Sequence, residues 1–309
     1  MTAAAPPSPL VPHRAVITPL LQGEGLEIGA LHFPFVVPAP HTVTYLDVEP
    51  VDTIRERFPE LAEHPLVTPT QLGDVGTRPV SELTGRGFDF IVLNHVLEHV
   101  SNPIQVIANV WDGLGSGGRL VLSVPDKTFT YDRPRPLTTF AHLLGHYFRG
   151  ATEVDDDHYV EFLEHCHAEA FQSHEAFTAA LAAVRGRREH AHVWDSTTFR
   201  SFLDRTVALL GLRAAWLHES TGATNRFEYF CVLERTDGAE ARAVALTVLD
   251  AVYRTRTDLK AAFPDGPRRL PRLLAWARDA GCTVDRDAPV LGPHAEAFRA
   301  LAATTRRAS

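Results

Sequence analysis

The chain has 309 residues, 45% of them hydrophobic and 22% charged, so a globular core of ordinary size is available. A formal net charge of -8 gives no support to a nucleic-acid binder, whose footprint is a strong basic surplus. Three scattered cysteines, Cys166, Cys231 and Cys282, exclude a CxxC zinc ribbon or a disulfide framework and read as reduced thiols of a cytoplasmic protein.

Residues 1–20 read as a loose Pro-rich leader, without the basic stretch and apolar core of a signal peptide. No apolar run approaches the roughly 20 residues of a membrane helix, so no membrane partner is expected. From Gly25 the pattern runs strand, turn, helix, strand, which points to a parallel sheet. Residues 25–29 (GLEIG) form a short apolar strand closed by a glycine, and residues 42–47 (TVTYLD) a β-branched strand closed by an acid. Residues 88–93 and 119–124 are continuous apolar runs that fit strands covered on both faces. Between them, residues 103–114 read as a helix with Ile104, Ile107, Ala108 and Trp111 on one stripe. A later helix begins near Ser196 and places Phe199, Phe202, Leu203, Val207 and Leu210 on one face. Residues 213–218 and 227–234 then read as an antiparallel hairpin at a sheet edge.

Residues 127–192 interrupt this alternation. They form a long insertion rich in His, Tyr, Asp and Arg, and stretches of that length are functional or carry structure of their own. The division expected is a leader over 1–20, a cofactor-binding domain over 21–235 containing the insertion, and a helical extension over 236–309. Residues 245–253 and 271–280 are the best helical pieces of that extension.

Chemistry begins at Glu27 and Gly29. A glycine directly after a first strand lets backbone approach a ligand, and open α/β sheets bind ligands at the carboxyl ends of strands where strand order reverses. Asp47 follows Glu27 by 20 residues, the usual distance for an acid that accepts ribose hydroxyls. The second and third glycines of a dinucleotide fingerprint are replaced by Leu31 and other residues, which disfavours NAD, as does the lack of a Tyr-x-x-x-Lys. S-adenosylmethionine (SAM) carries no phosphate, and its ammonium and sulfonium suit carboxylate and carbonyl oxygens.

Residues 88–100 (FDFIVLNHVLEHV) and 114–125 (LGSGGRLVLSVP) sharpen this. Together they resemble the class I SAM-dependent methyltransferases of the type-11 branch, with the form FD-x-V-x-x-x-x-V-L-E-H-V followed by L-x-P-G-G-x-L. The front end, L-E-I-G-A-L-H-x-P, is similar to one bacterial subgroup, and Ser116 replaces the usual Pro before Gly-Gly. The resemblance covers roughly residues 25–235. It implies a Rossmann-like seven-stranded, mostly parallel α/β sheet with an antiparallel C-terminal hairpin, SAM as cofactor and methyl transfer as the reaction.

Carried over by position, the resemblance sets Glu27, Gly29, Ala30, Leu31 and His32 around the methionine part of SAM. Asp47 and Val48 take the ribose, and Asp74 with Val75 the adenine. Asn94 and His95 line the floor near the sulfonium, and His99 lies beyond them. Glu98 and His99 open the following helix, where capping and packing are the alternative reading. Within the insertion, the subgroup's H-Y-x-E and H-x-H-V-W point to His158, Tyr159, Glu161, His190, His192 and Trp194. His192, His158, His190 and Tyr159 are the catalytic candidates. Glu161, Trp194, Tyr131 and Arg133 are the substrate-binding ones; on the loop after the fifth strand Asp132 and Arg135 could also contact a polar substrate, although a solvated loop suits Arg133 and Arg135 equally.

Three readings of the histidines stay open: a base and substrate-orienting group, imidazoles bridging insertion to sheet, or a divalent metal site. His158 and Glu161 share a helix face, and His190 and His192 would point the same way on an extended strand. No recognised zinc spacing occurs, so no metal is claimed. The expected reaction is O-methylation of a small polar acceptor, a sugar or specialised metabolite. The sugar rests on a low-specificity likeness of residues 256–276 to an element in bacterial surface-glycan proteins. Non-methylating SAM chemistry such as cyclisation, and a non-catalytic SAM-binding partner protein, are the alternatives. The oligomeric state is left open, a homodimer included.

Overall fold

The computed structural model describes residues 11–236. The helical extension over 236–309, the glycan-like element and Cys282 therefore lie outside the described residues, save Thr236. Seven strands form one sheet in the order β3-β2-β1-β4-β5-β7-β6. They are β1 (Glu24–Ile28), β2 (Thr42–Asp47), β3 (Gln71–Leu72), β4 (Phe88–Asn94), β5 (Leu114–Pro125), β6 (Ala214–Ser220) and β7 (Glu228–Arg235). β1 to β5 are parallel, and β7 runs antiparallel to both β5 and β6. Ile28 registers with Leu46 on one side and Leu93 on the other, and Asn94 with Ser123. Gly29, Asp47 and Asn94 thus end up side by side at the carboxyl edge, where strand order reverses between β1 and β4.

The alternation of side chains divides the core. Ile91, Leu93, Leu120 and Leu122 join a large cluster with Ile104, Ile107 and Trp111 of α4 (Pro103–Asp112) and Phe199, Phe202 and Leu203 of α8 (Ser196–Leu210). Phe90, Val92, Val121, Phe230 and Val232 face the other way and meet Ile17, Leu21 and Phe35. The period of two is what a strand buried on both faces requires. Local signals set the helix limits: Asn102 accepts the Gln105 N–H ahead of Pro103, and Asp195 with Thr198 closes a capping box on α8.

Two expectations are corrected. No helix joins β1 to β2; residues 29–41 are irregular, because Pro34, Pro38 and Pro40 remove backbone donors that a helix needs. The leader is not loose from residue 11 onward. The short α1 (Pro12–Ala15) buries Arg14, which donates from Nε to Glu228 Oε1 at 2.7 Å and from Nη2 to Oε2 at 2.5 Å. Glu228 also meets His13 at 2.6 Å and His95 at 2.7 Å, and these partners hold its carboxyl well below the usual range against the opposing effect of burial.

Short helices α2 (Val51–Arg57) and α3 (Val80–Thr84) flank the sheet, and α9 (Gly222–Asn225) fills the β6–β7 turn. The insertion between β5 and α8 is helical: α5 (Phe140–Arg149), α6 (Asp156–Cys166) and α7 (His174–Arg187). Leu143, Tyr147 and Phe148 of α5 enter the main core, whereas α6 and α7 share a cluster of their own around Phe162, Leu163 and Val184. Among the described residues no helix is long and apolar enough to cross a membrane.

Candidate functional site

The carboxyl edge of the sheet supplies the first half of the site. Gly29 adopts φ 69°, its N–H donates to Leu46 O at 3.0 Å, and a Cβ there would lie 3.1 Å from Val96 Cγ2. Leu31 and His95 also hold positive φ, of 48° and 54°, which bends both loops away from helical geometry. Asp47 Oδ1 accepts the N–H groups of Val48 (2.7 Å) and Glu49 (3.4 Å), so the carboxylate keeps Oδ2 for an external donor. Burial raises the Asp47 carboxyl above its usual value. Val48 and Asp74 are exposed and Val75 is buried, its carbonyl accepting from Asn109 Nδ2 at 2.7 Å.

Glu27 is buried, and both its oxygens accept the Phe35 N–H at 3.0 and 2.9 Å. It therefore organises the helix-free loop after β1, and burial pushes its carboxyl up to about 8. Asn94 accepts from Ser123 Oγ at 3.0 Å, while its Nδ2 is buried without a partner. His95 turns toward Glu228 and stacks on Phe227 at 5.1 Å. Glu98 and His99 do not open a helix; they occupy a 3-10 turn, and the cap of α4 is Asn102.

The insertion supplies the second half. Its histidines were expected to point one way, but they fall into two groups. His190 gathers with Glu98 and His99, and His192 with His142 and His158, each set offering ligand atoms within 4.8 Å. The 190–192 segment runs between the groups, with the N–H of Ala191 and of His192 both donating to Glu98 O at 2.7 and 3.0 Å.

In the first group, His190 Nδ1 lies 2.7 Å from Asp132 Oδ2. Tyr131 stacks on the His190 ring at 5.0 Å and 25°, and His99 meets its edge at 4.7 Å. Burial opposes a charge on His190, but Asp132 and the nearby Glu98 outweigh it and raise the imidazole above its ordinary value. Asp132 is in turn fixed by Arg135 at 2.8 Å. Burial pushes His99 down, although 35% of its side chain still reaches solvent, and His99 Nδ1 is fixed by the Arg188 carbonyl at 2.7 Å. The Glu98 carboxyl is raised by burial, and neither of its oxygens has a hydrogen-bond partner.

Tyr131 and His99, which pack on the His190 ring, border a cleft of about 600 Å³ whose walls also include His32 from the loop after β1, Phe58 at the end of α2, and Phe162 and Cys166 of α6. Arg187 and Glu189 close one side. The insertion is tied down there: Arg187 pairs with Glu60 at 2.6 Å, Arg188 with Glu49 at 3.1 Å, and Arg57 bonds both Glu49 and the Gly186 carbonyl.

Several candidates sit elsewhere. Tyr159 packs with Phe162, Leu163 and Val184 inside the insertion, since its helix needs an apolar face there. Trp194 is buried in the main core against Phe199 and Phe202. Glu161 pairs with Arg135 at 2.8 Å, and that arginine is fully buried, not solvated. Arg133 is exposed on the loop. Sequence reasoning offered Asp132 as a substrate contact and missed its pairing with His190, and it missed His142 and His146, whose H-x-x-x-H spacing was the available signal.

A family model described as a methyltransferase domain matches residues 23–206, more than half of the chain. No curated protein sequence matches it. Among solved structures, the chain is similar to the N-methyltransferase NodS from Bradyrhizobium japonicum WM9 in complex with S-adenosyl-L-homocysteine (14% identity, 72% of this chain, 86% of that chain, TM-score 0.35). It is also similar to the mitomycin 7-O-methyltransferase MmcR (14%, 73% and 53%, TM-score 0.34). The CurJ carbon methyltransferase matches at 16% identity over 70% of this chain with a TM-score of 0.37, the chain spanning 50% of its length. By the family match, which covers β1 to β5, the insertion and most of α8, this chain belongs to the methyltransferase-domain family and is a SAM-dependent methyltransferase.

Proposed function

We propose that the protein methylates a hydroxyl of a small polar acceptor, a sugar or specialised metabolite, held in the cleft between the sheet edge and the insertion. The observation that carries this reading is the His190–Asp132 pair beside Tyr131 and His99. SAM, when bound, supplies an activated methyl group, so the chain has to align a nucleophile and remove its proton. Asp132 accepts from Nδ1 and thereby leaves Nε2 of His190 as the basic nitrogen, the division of labour of an oriented general base.

Asp47 and the backbone around Gly29 hold the cofactor in this account, and Tyr131 and His99 position the acceptor. A cleft of about 600 Å³ suits a small molecule. The type-11 signature at 88–100 supports the same reading, because it carries His99, which stands on the cleft wall.

Calorimetry with SAM, S-adenosylhomocysteine and NAD tests the cofactor half, and mass analysis of hydroxylated acceptors incubated with SAM tests the rest. Binding of SAM and the gain of one CH₂ on an acceptor oxygen are expected. A methyl group found only on nitrogen or carbon would contradict the proposal.

A further inference from the structure

Away from the cleft, the densest set of ligating side chains is a knot of imidazoles in the insertion. His142 on α5, His158 on α6 and His192 ahead of α8 bring one ring nitrogen each within 4.8 Å of one another. His146 lies one turn beyond His142, with ring centroids 4.3 Å apart. His158 Nδ1 is 2.8 Å from the Ala191 carbonyl, which can only accept, so the proton is on Nδ1 and Nε2 carries a lone pair. That nitrogen faces His142 Nε2 at 3.2 Å. Two imidazoles on a tetrahedral zinc, with Zn–N of about 2.0–2.1 Å, have nitrogens about 3.3 Å apart, so this pair already has the spacing of two ligands. An outer N–H fixed by a backbone carbonyl is also the usual support of a metal-bound histidine.

His192 is an independent sign. It is 1% exposed, and neither ring nitrogen makes a hydrogen bond of standard geometry, although the Val100 backbone lies near enough to favour the protonated form slightly. Burial, aided by the neighbouring imidazoles, keeps His158 and His192 below their ordinary value and therefore neutral, the form that ligates. A cavity of about 400 Å³ reaches His142 and His158, and Asp155, Asp157 and Glu161 on its wall offer a path and a negative field for a cation. The Glu98–His99–His190 group differs, because His190 is committed to Asp132 and balances the Glu98 charge.

We infer that His142, His158 and His192 form a site for a divalent first-row transition ion of the zinc class, with its fourth position open to this cavity. Binding frees His142 Nε2 by moving its proton, through solvent, to Nδ1 of the same ring, a change of tautomer with no net loss of a proton. The ion ties α5 and α6 to the 190–192 segment, and so braces the cleft wall from behind without entering the cleft.

The test uses the full chain, stripped with a chelator and titrated with Zn²⁺ and Co²⁺. One ion per chain is expected, with the intense visible bands of four-coordinate Co²⁺, and X-ray absorption should show three imidazoles around the ion in the wild-type protein. His142→Ala, chosen because this side chain is exposed, and His158→Gln should each weaken binding by about 100-fold. Lack of stoichiometric binding, a sphere without three imidazoles, or unchanged affinity in both folded variants would overturn the assignment. So would loss of binding in His99→Ala with His142→Ala unaffected.

Discussion

Asp132 and His190, 58 residues apart in sequence, meet at 2.7 Å behind the stacked ring of Tyr131. The pair makes methyl transfer sensitive to pH. If His190 takes the acceptor proton it must be neutral, so kcat/KM should climb through the raised value of His190, above 6.5. Asp132→Asn removes the group that raises it. The rising limb should then move to lower pH and the plateau should fall, as a pH–rate profile would read; an unmoved limb would assign the titration to another group.

The same pair sets a stability trend. His190 is raised on folding, so its contribution is fully present below its unfolded value near 6.5 and is lost as pH rises through the folded value. Asp132 is lowered despite burial, so its contribution is present above its unfolded value and is lost as pH falls through the lower, folded one. Denaturant titrations of wild type and Asp132→Asn should therefore differ most at mildly acidic pH, and the difference should narrow as pH rises above the His190 value to what the Arg135 pair with Asp132 retains.

Arg14 is expected to matter far more than its place in a leader suggests. Its two bonds to Glu228 are buried, and removing one member of such a pair costs about 3–5 kcal/mol. Arg14→Met should lower the melting temperature by an amount on the order of 10 °C. Thermal unfolding would show it, and a change within error would mean that the pair contributes little.

Cofactor affinity is tested at the sheet edge. Gly29→Ala forces an L side chain into positive φ, at about 1–2 kcal/mol, and sets a methyl against Val96. Asp47→Ala removes the proposed ribose acceptor. Each should weaken SAM binding about tenfold or more in calorimetry, with the circular dichroism of the fold retained.

These residues also mark what a sequence can and cannot disclose. β1, β2 and β4 were legible because apolar and β-branched runs end in Gly29, Asp47 and Asn94, and the start of α4 was legible from Pro103 and its apolar stripe. The missing helix after β1 was written in Pro34, Pro38 and Pro40, but the expected alternation overrode it. The pairings of Arg14 with Glu228 and of Asp132 with His190 left no local signal: His190 stood out by its motif, but only long-range folding brings each partner to the other in a buried place. Tyr159 and Trp194 were picked out by motif, and nothing in their spacing foretold that both would be packed in apolar clusters.

The central claim is that His190 accepts a proton from an acceptor hydroxyl during methyl transfer. Its most direct test is single-turnover transfer of an isotopically labelled methyl from SAM to an identified acceptor, with wild type and His190→Ala compared at equal SAM occupancy. The account predicts label on oxygen, a rate loss on the order of 10²–10⁴-fold in the variant and unchanged SAM affinity. An equal rate in His190→Ala, or label on a carbon or nitrogen, would contradict it.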